Sequence, residues 1–350
     1  MRNNLYPIKF EPKFVEKVWG GNKLCTVLNK PCDPKKKIGE SWEISAIQDN
    51  LSIVKNGFLE GNNIEEVLEI YMSDILGYPV YMKYGIEFPL LVKFIDANDL
   101  LSVQVHPDDH LARYRHYAYG KTEMWYVIDA EPGAELIMGW KHDMDRGTLL
   151  KSLEDGTITE HLNYEKVKPG DVFFIPAGRV HALGKGIVVA EIQQTSDITY
   201  RLYDWGRVGL DGKPRELHID LALDAIDYNA YSNYRTEYTI NENGTTPLVN
   251  CDYFTTNLIS FDQTIEKNYL ALDSFVIYIC LEGKFKLEYH NKDFEILEKG
   301  ETAMLPAEYE EVRLIPYEKS KVLEVYIERI DLNVDSRITS MLSGMKPDNE

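Results

Sequence analysis

The segment that decides the fold is Gly170-Asp-Val-Phe-Phe-Ile-Pro-Ala-Gly-Arg-Val-His181. Its four apolar residues, Val172 to Ile175, have the length of a short buried strand. The Pro176-Ala-Gly178 turn then ends the strand and delivers His181 a fixed distance later. A strand, a tight turn and a metal-capable side chain in this order predict a β-barrel that holds a histidine inside it.

Three more metal-capable side chains precede this segment. Gln104 and His106 are two residues apart in an alternating stretch, so they point to the same side of one strand. Glu123 begins the next predicted strand. Imidazole nitrogen and carboxylate oxygen are usual ligands of zinc and similar ions, and catalytic sites keep one coordination position open. We therefore predict one divalent ion bound by Gln104, His106, Glu123 and His181.

The other histidines are interpreted as hydrogen-bonded core or surface residues, because a single histidine after a strand usually is one. They are His110, His116, His142, His161, His218 and His290.

A segment downstream of the turn is dense in functional side chains. Glu191 lies on a predicted strand, where its carboxylate would face the cavity or orient a metal ligand. Arg201 and Arg207 are six residues apart, and in a loop they can bracket a phosphate or carboxylate. Lys121 would share the barrel mouth. Each charge alone is typical of a solvated group or an ion pair, but together beside a metal they predict an anion pocket.

Composition excludes several classes of function. The chain has 350 residues and a net charge of −19, which argues against a nucleic-acid surface. Its four cysteines, Cys25, Cys32, Cys251 and Cys280, show no CxxC spacing and are predicted to be reduced thiols. No signal peptide is visible, and no apolar run approaches the roughly 20 residues that span a bilayer. We expect a soluble, cytoplasmic protein.

The length predicts more than one core. We assign residues 1–240 to a catalytic barrel domain with N-terminal strands and helical segments, and residues 241–350 to a degenerate C-terminal barrel. Amphipathic helices are predicted from Ile64 to Ile75, where Asn63 is the N-cap and Gly77-Tyr-Pro79 the end, between Asp145 and Asn163, and from Glu216 to Ile226. The polar tail after Asp331 is predicted to be poorly ordered at its tip.

A weak internal repeat supports two barrels. Lys168-Pro-Gly170 is followed six residues later by Pro176, and Glu298-Lys-Gly300 is followed six residues later by Pro306. In the second copy Glu311 stands where the first copy has its histidine, and no Gln-x-His pair precedes it. The prediction is two related barrels, of which only the first keeps its metal chemistry.

At these residues the chain closely resembles type I mannose-6-phosphate isomerase in its short bacterial form. The matching pieces run through most of the chain: Trp19-Gly-Gly21, Gly39-Glu-Ser-Trp-Glu43, Leu91-Val-Lys-Phe-Ile95, Leu101-Ser-Val-Gln-Val-His-Pro-Asp108, Lys121-Thr-Glu-Met-Trp125, Gly170 to His181, and Glu191 to Arg207. The resemblance implies a mainly β fold of cupin (jelly-roll) barrels with a few peripheral helices. It also implies one Zn²⁺ and interconversion of mannose 6-phosphate and fructose 6-phosphate.

The resemblance also implies roles for individual residues. It places the metal on Gln104, His106, Glu123 and His181, and the substrate and its phosphate at Ser102, Lys121, Arg201 and Arg207. The long eukaryotic members carry a lysine where this chain has Arg207, and a helical insertion that is missing here.

The implied reaction moves a proton between C1 and C2 through a cis-enediol, which needs an acid or base near both carbons and stabilisation of the developing oxyanion. Candidate bases are Glu191, Asp197 and Lys121, and Asp197 is also expected to contact the substrate. We favour Glu191, with Arg201 as its electrostatic partner. Two other functions stay open at this point, a metal-dependent cupin oxygenase and a non-catalytic sugar-binding cupin.

Overall fold

The structure, a computed structural model, describes residues 4–328, so the predicted disorder after Asp331 lies outside the described residues. The strands are β1 (Lys13–Gly21), β2 (Ile38–Ile44), β3 (Leu90–Ala97), β4 (Val103–Val105), β5 (Glu123–Ala130), β6 (Glu135–Trp140), β7 (Leu162–Lys166), β8 (Val172–Ile175), β9 (His181–Ala182), β10 (Ile187–Gln194), β11 (Tyr200–Tyr203), β12 (Gly244–Asn250), β13 (Thr255–Phe261), β14 (Ile265–Asn268), β15 (Val276–Glu282), β16 (Lys284–Glu288), β17 (Phe294–Glu298), β18 (Thr302–Leu305), β19 (Glu311–Pro316) and β20 (Ser320–Tyr326). The helices are α1 (Lys23–Thr26), α2 (Ile64–Tyr71), α3 (Ser73–Leu76), α4 (Tyr78–Tyr84), α5 (Asp109–His116), α6 (Arg146–Glu154), α7 (Ile158–His161) and α8 (Ile219–Ala225), with 3₁₀ turns at Gly57–Leu59 and His290–Lys292.

These strands form four sheets that pack as two sandwiches. In the first, the sheet β1-β2-β3-β10-β5-β8 lies against the sheet β11-β4-β9-β6-β7. Trp125 and Val189 from the larger sheet share one buried cluster with Leu136 and Met138 from the smaller sheet. In the second sandwich, β12-β13-β20-β15-β18 lies against β14-β19-β16-β17. The predicted fold class, mainly β cupin barrels with few helices, is confirmed.

The two sandwiches repeat one topology. The order β3-β10-β5-β8 recurs as β13-β20-β15-β18, and β4-β9-β6-β7 recurs as β14-β19-β16-β17. Gly170 and Gly300 precede equivalent strands with φ of 92° and 85°, a left-handed conformation that favours glycine at both turns. Glu311 begins β19 opposite Asn268, as the metal-capable histidine begins β9 opposite Gln104. The short sequence repeat therefore marks a real structural duplication.

The two sandwiches also share apolar contacts. The backbones of Ile8 and Met304 exchange hydrogen bonds of 2.7 and 2.8 Å, which attaches the N-terminal segment to the second barrel. The rings of Phe88 and Phe275 lie 4.8 Å apart, centroid to centroid, in a buried cluster that extends through both barrels. Because the core is continuous, the division at residue 240 stays a prediction.

Helices occur in the regions where the sequence predicted them, but some of the predicted boundaries were wrong. Asn63 caps α2 in a capping box with Glu66, as expected. The predicted helix 64–75 is broken at Met72, whose φ of 44° separates α2 from α3. Gly77 does not end the helical region, because Pro79 lies in the first turn of α4, where a proline is well tolerated. The predicted helix 216–226 begins only at Ile219.

The cysteine prediction was wrong for one pair. Cys25 and Cys32 form a disulfide with Cα atoms 5.4 Å apart, whereas Cys251 and Cys280 are free. Cys25 lies in the short helix α1, after which the chain turns back. A separation of seven residues in sequence does not reveal that reversal.

No helix among residues 4–328 is long and apolar enough to span a bilayer.

A buried carboxylate outside the candidate site gives a test of the fold's pH dependence. Asp96 Oδ2 accepts a hydrogen bond from the Lys23 backbone N–H (2.7 Å), but its Oδ1 has no partner. Burial raises the pKa of Asp96 from 3.8 to about 6, and the nearby Asp129 and Glu131 add to the rise. Between about pH 4 and pH 6 the folded state therefore binds more protons than the unfolded state, so this group makes stability fall as pH rises.

We expect Asp96→Asn to stabilise the protein, because it removes the buried charge and keeps an acceptor for Lys23. The increase in the free energy of unfolding should be about 1–3 kcal/mol larger at pH 8 than at pH 4. Urea unfolding of both proteins at the two pH values measures this difference. An equal effect at both pH values would contradict the assigned pKa.

Candidate metal centre and anion pocket

Three strands from both sheets of the first sandwich bring the predicted ligands together. Gln104 on β4 pairs directly with His181 on β9, both in the smaller sheet. Glu123 begins β5 in the larger sheet and faces them across the sandwich. His106, just after β4, completes the group, and ligand atoms of His106, Glu123 and His181 lie within 4.8 Å of one another. The side-chain amide of Gln104 is 3.3 Å from His181 Nε2.

Both histidines are oriented by backbone carbonyls. His106 Nδ1 lies 2.9 Å from the Ile198 oxygen, and His181 Nδ1 lies 2.8 Å from the Arg179 oxygen. Nδ1–H donates to these carbonyls, so each Nε2 turns its lone pair toward Glu123. Burial, together with the charge of Lys121, also holds the pKa of His106 well below its usual value. An imidazole that is held through its Nδ1–H in this way presents Nε2 for metal ligation.

The unsatisfied atoms of the cluster fit a cation. His106 Nε2 and both carboxylate oxygens of Glu123 are buried and receive no hydrogen bond of ordinary geometry, although Lys121 Nζ is 3.1 Å from Glu123 Oε2. Burial alone would raise the pKa of Glu123, but the positive charge of Lys121 holds it well below its usual range. A buried carboxylate that stays ionised without hydrogen bonds is costly. Two imidazoles, a carboxylate and an amide suit a divalent ion of the zinc type.

The Pro-Ala-Gly turn connects two of these residues. Gly178 has φ of 88°, and its N–H donates to the carbonyl of His106 (2.9 Å). A Cβ at this position would lie 2.9 Å from the Ala225 oxygen, so glycine is required for space as well as for φ. The turn thus fixes the start of β9, and with it His181, against the chain segment that carries His106.

A cavity of about 360 Å³ opens beside the cluster. Six predicted site residues line it: Ser102, Gln104, Lys121, Glu191, Asp197 and Arg201. Glu191 is buried on β10, where its Oε2 accepts a hydrogen bond from Trp125 Nε1 (2.8 Å) and its Oε1 lies 3.3 Å from Lys93 Nζ. Trp125 therefore holds a carboxylate in place.

The predicted arginines have different surroundings. Arg201 lines the cavity, its Nη1 donates to the Glu216 oxygen (2.7 Å), and its buried Nε has no partner. Arg207 is not among the lining residues, because its Nε donates to Asp204 (2.9 Å) and its Nη1 donates to the Leu100 oxygen. Its predicted contact with substrate stays a prediction.

Comparison with known proteins gives the family. Residues 8–144 match the profile of the phosphomannose isomerase type I catalytic domain, and residues 244–315 match that of the mannose-6-phosphate isomerase cupin domain. Mannose-6-phosphate isomerase ManA of Bacillus subtilis (strain 168) is 35% identical over 318 residues, which cover 89% of this chain and 96% of the relative. The chain belongs to the type I phosphomannose isomerases. The family predicted from the motifs is therefore confirmed.

Two further similarities agree with this family. The probable mannose-6-phosphate isomerase GmuF of the same organism is 44% identical over 222 residues, 63% of this chain and 68% of the relative. The crystal structure of the mannose 6-phosphate isomerase from Bacillus subtilis matches with a TM-score of 0.82 and 32% identity, covering 92% of this chain and 99% of that one. As a type I phosphomannose isomerase, the chain is an enzyme of the aldose–ketose isomerase class.

Sequence reasoning missed several residues that line this cavity. Lys17, Glu40, Trp42, Lys93 and Arg215 also line it. Lys93 had a usable signal, since it interrupts a strand that is otherwise almost wholly apolar, and a buried lysine needs a partner. Arg215 had no such signal in the sequence, because the path of the Gly- and Asp-containing loop before it cannot be derived from the local sequence.

Proposed function

We propose that this protein interconverts mannose 6-phosphate and fructose 6-phosphate, using one Zn²⁺ per chain. The observation that carries the proposal is the buried His106–Glu123–His181 cluster beside a cavity that Gln104 and Arg201 both line. A metal-suited cluster beside a cavity with cationic side chains fits a sugar that carries a phosphate. Membership of the family, and the activity in its relatives' names, support the same substrate.

The residues that would hold the zinc are Gln104, His106, Glu123 and His181. When bound, the ion would supply a positive charge that stabilises the oxyanion developing at O1 or O2 of the sugar. Because Gln104 is a neutral amide, the ligand set carries one negative charge, that of Glu123. This leaves the site favourable for a substrate that is itself an anion.

The residues of the chain perform the rest of the reaction. Arg201 binds the phosphate, with Ser102 at the same cavity wall, and this remote binding holds the sugar for reaction at its other end. Glu191 is the favoured base, since its hydrogen bond from Trp125 and its contact with Lys93 fix the carboxylate at the cavity wall. It removes the proton from C2 of the aldose and returns it to C1, while a proton moves from O2 to O1, so that the sugar passes through a cis-enediol and ends as the ketose.

Two other candidates for the base have weaker support. Lys121 lies 3.1 Å from Glu123, so its ammonium is at the metal end of the cavity, where it can donate a hydrogen bond to a sugar oxygen. Asp197 is exposed at the cavity rim, where water competes for its carboxylate. Its role in this proposal is contact with the bound substrate.

A coupled assay of the purified protein tests the function. We expect turnover of mannose 6-phosphate that is lost on removal of the metal with a chelator and restored by added Zn²⁺, because the oxyanion otherwise lacks its stabilising charge. Full turnover after verified metal removal would contradict the metal's role. No turnover by the zinc-loaded protein would contradict the isomerase and leave the oxygenase or the sugar-binding cupin.

The cytoplasmic location predicted from the sequence belongs to this proposal. A sugar phosphate is charged and does not cross membranes unaided, so an enzyme that uses it acts where it is made.

The division into a catalytic domain (1–240) and a degenerate cupin domain (241–350) is also part of the proposal. Among residues 4–328 a histidine–carboxylate cluster suited to a metal occurs only in the first barrel.

A further inference from the structure

The segment after β11 folds back on Arg201. The Arg201 backbone N–H donates to His218 Nδ1 (3.2 Å), and the His218 N–H donates to the Arg201 carbonyl (2.8 Å). The side chain of Arg201 adds a third contact, from Nη1 to the Glu216 oxygen (2.7 Å). Arg215 directly precedes the segment from Glu216 to His218 that makes these contacts. The same contacts therefore hold Arg215 close to Arg201.

Arg215 faces the same cavity as Arg201. Its Nε donates to Asp204 Oδ2 (2.7 Å), and its Nη2 donates to Asp204 Oδ1. This two-pronged contact fixes the plane of the guanidinium and leaves Nη1 without a hydrogen bond among the described residues. The side chain is about one-quarter exposed, 23%, so it is held by the protein and still reachable from the cavity.

The charge of this region is not balanced. The guanidinium groups of Arg207 and Arg215 both pair with the buried carboxylate of Asp204, and the guanidinium of Arg201 lies close enough to be repelled by both arginines. Arg201 Nε is buried without a partner. The pKa of Arg201 is lowered, first by burial and then by the charge of Arg215. An anion between Arg201 and Arg215 would relieve that repulsion and satisfy free donors on both.

Arg207 has a different position. Its guanidinium donates to Asp204 and to the Leu100 carbonyl, away from the lining of the cavity. It therefore neutralises and orients Asp204, which in turn holds Arg215. Arg207 and Asp204 are positioning residues in this arrangement.

We propose that Arg215 binds the phosphate of the substrate together with Arg201, and that it selects phosphorylated over unphosphorylated sugar. This proposal rests on the function proposed above, because it assigns a group to the phosphate end of that site. An arginine held in plane by a carboxylate is pre-organised, so little conformational entropy is lost when the phosphate binds.

The test compares Arg215→Gln with the wild type and with Arg146→Gln. Arg146 is an exposed arginine of α6 that pairs with Asp224, so the control removes the same charge far from the cavity. We expect Arg215→Gln to raise the KM for mannose 6-phosphate about 10- to 100-fold, the usual worth of a hydrogen bond to a charged group. The kcat/KM for unphosphorylated mannose should not change, whereas a general structural defect would lower it.

Binding of inorganic phosphate, measured by calorimetry on the zinc-loaded protein, gives a second readout that does not need turnover. The proposal expects Arg215→Gln to weaken it about tenfold or more, and Arg146→Gln to leave it unchanged. If the wild type binds phosphate but does not isomerise the sugar, the proposed function fails while this test of Arg215 stands.

Unchanged KM and unchanged phosphate affinity in Arg215→Gln would overturn the proposal. If that variant does not fold, Arg215→Lys is measured in the same way, since it keeps the charge and loses the contact with both oxygens of Asp204. We then expect phosphate affinity to fall about 3- to 10-fold, and wild-type affinity would overturn the proposal.

Discussion

Glu123→Gln is expected to bind zinc poorly and to lose about 100- to 1,000-fold in kcat/KM for mannose 6-phosphate. Glu123 supplies the only carboxylate of the proposed ligand set, and its two oxygens lie 3.2 Å from His181 Nε2 and 3.6 Å from His106 Nε2. Glutamine keeps the shape of the side chain and removes the charge that attracts the cation. The measurements are metal content by elemental analysis and the coupled assay.

Glu154→Gln is a matched control, because Glu154 is exposed at the end of α6, outside the cavity. It should keep both zinc and activity. A Glu123→Gln protein with one zinc per chain and wild-type kinetics would show that the cluster is not the catalytic metal site.

Arg201→Ala is expected to lower kcat/KM for mannose 6-phosphate by about 100- to 1,000-fold, while zinc content stays at the wild-type level. The guanidinium lines the cavity beside Arg215, and alanine removes its charge-assisted hydrogen bonds to the phosphate. Steady-state kinetics and elemental analysis on the same preparation separate loss of phosphate binding from loss of the metal.

Arg146→Ala is the corresponding control, since that side chain is 57% exposed and pairs only with Asp224 among the described residues. Near-normal kinetics in Arg201→Ala would remove Arg201 from the site. The proposed phosphate end would then have to lie elsewhere in the cavity.

The proximity of the predicted metal ligands could be derived from the sequence because the geometry that brings them together is local. Alternation along β4 places Gln104 and His106 on one side of the strand, and a glycine turn of fixed length places His181. The remaining step, that β4 and β9 pair with Gln104 opposite His181, follows from the barrel topology that the family resemblance supplied. Strand alternation, turn length and the fold assignment are therefore sufficient to bring these four side chains together.

The other end of the cavity depends on contacts that no short-range rule describes. Arg207 and Arg215 are both loop arginines, and long-range contacts place them: the bonds between Arg201 and His218 fix the segment after Arg215, and Arg207 is held by Asp204 and the Leu100 carbonyl. The Cys25–Cys32 disulfide likewise depends on a chain reversal after α1 that composition does not reveal. Neither the position of Arg215 nor the disulfide could be predicted, because both depend on loop paths rather than on side-chain chemistry.

The most direct test is anomalous diffraction at the zinc absorption edge from crystals of the zinc-loaded protein. The account predicts one strong peak inside the first barrel, with Gln104, His106, Glu123 and His181 as ligands at about 2.0–2.2 Å. A peak elsewhere, or none between those four side chains at full zinc loading, would contradict it.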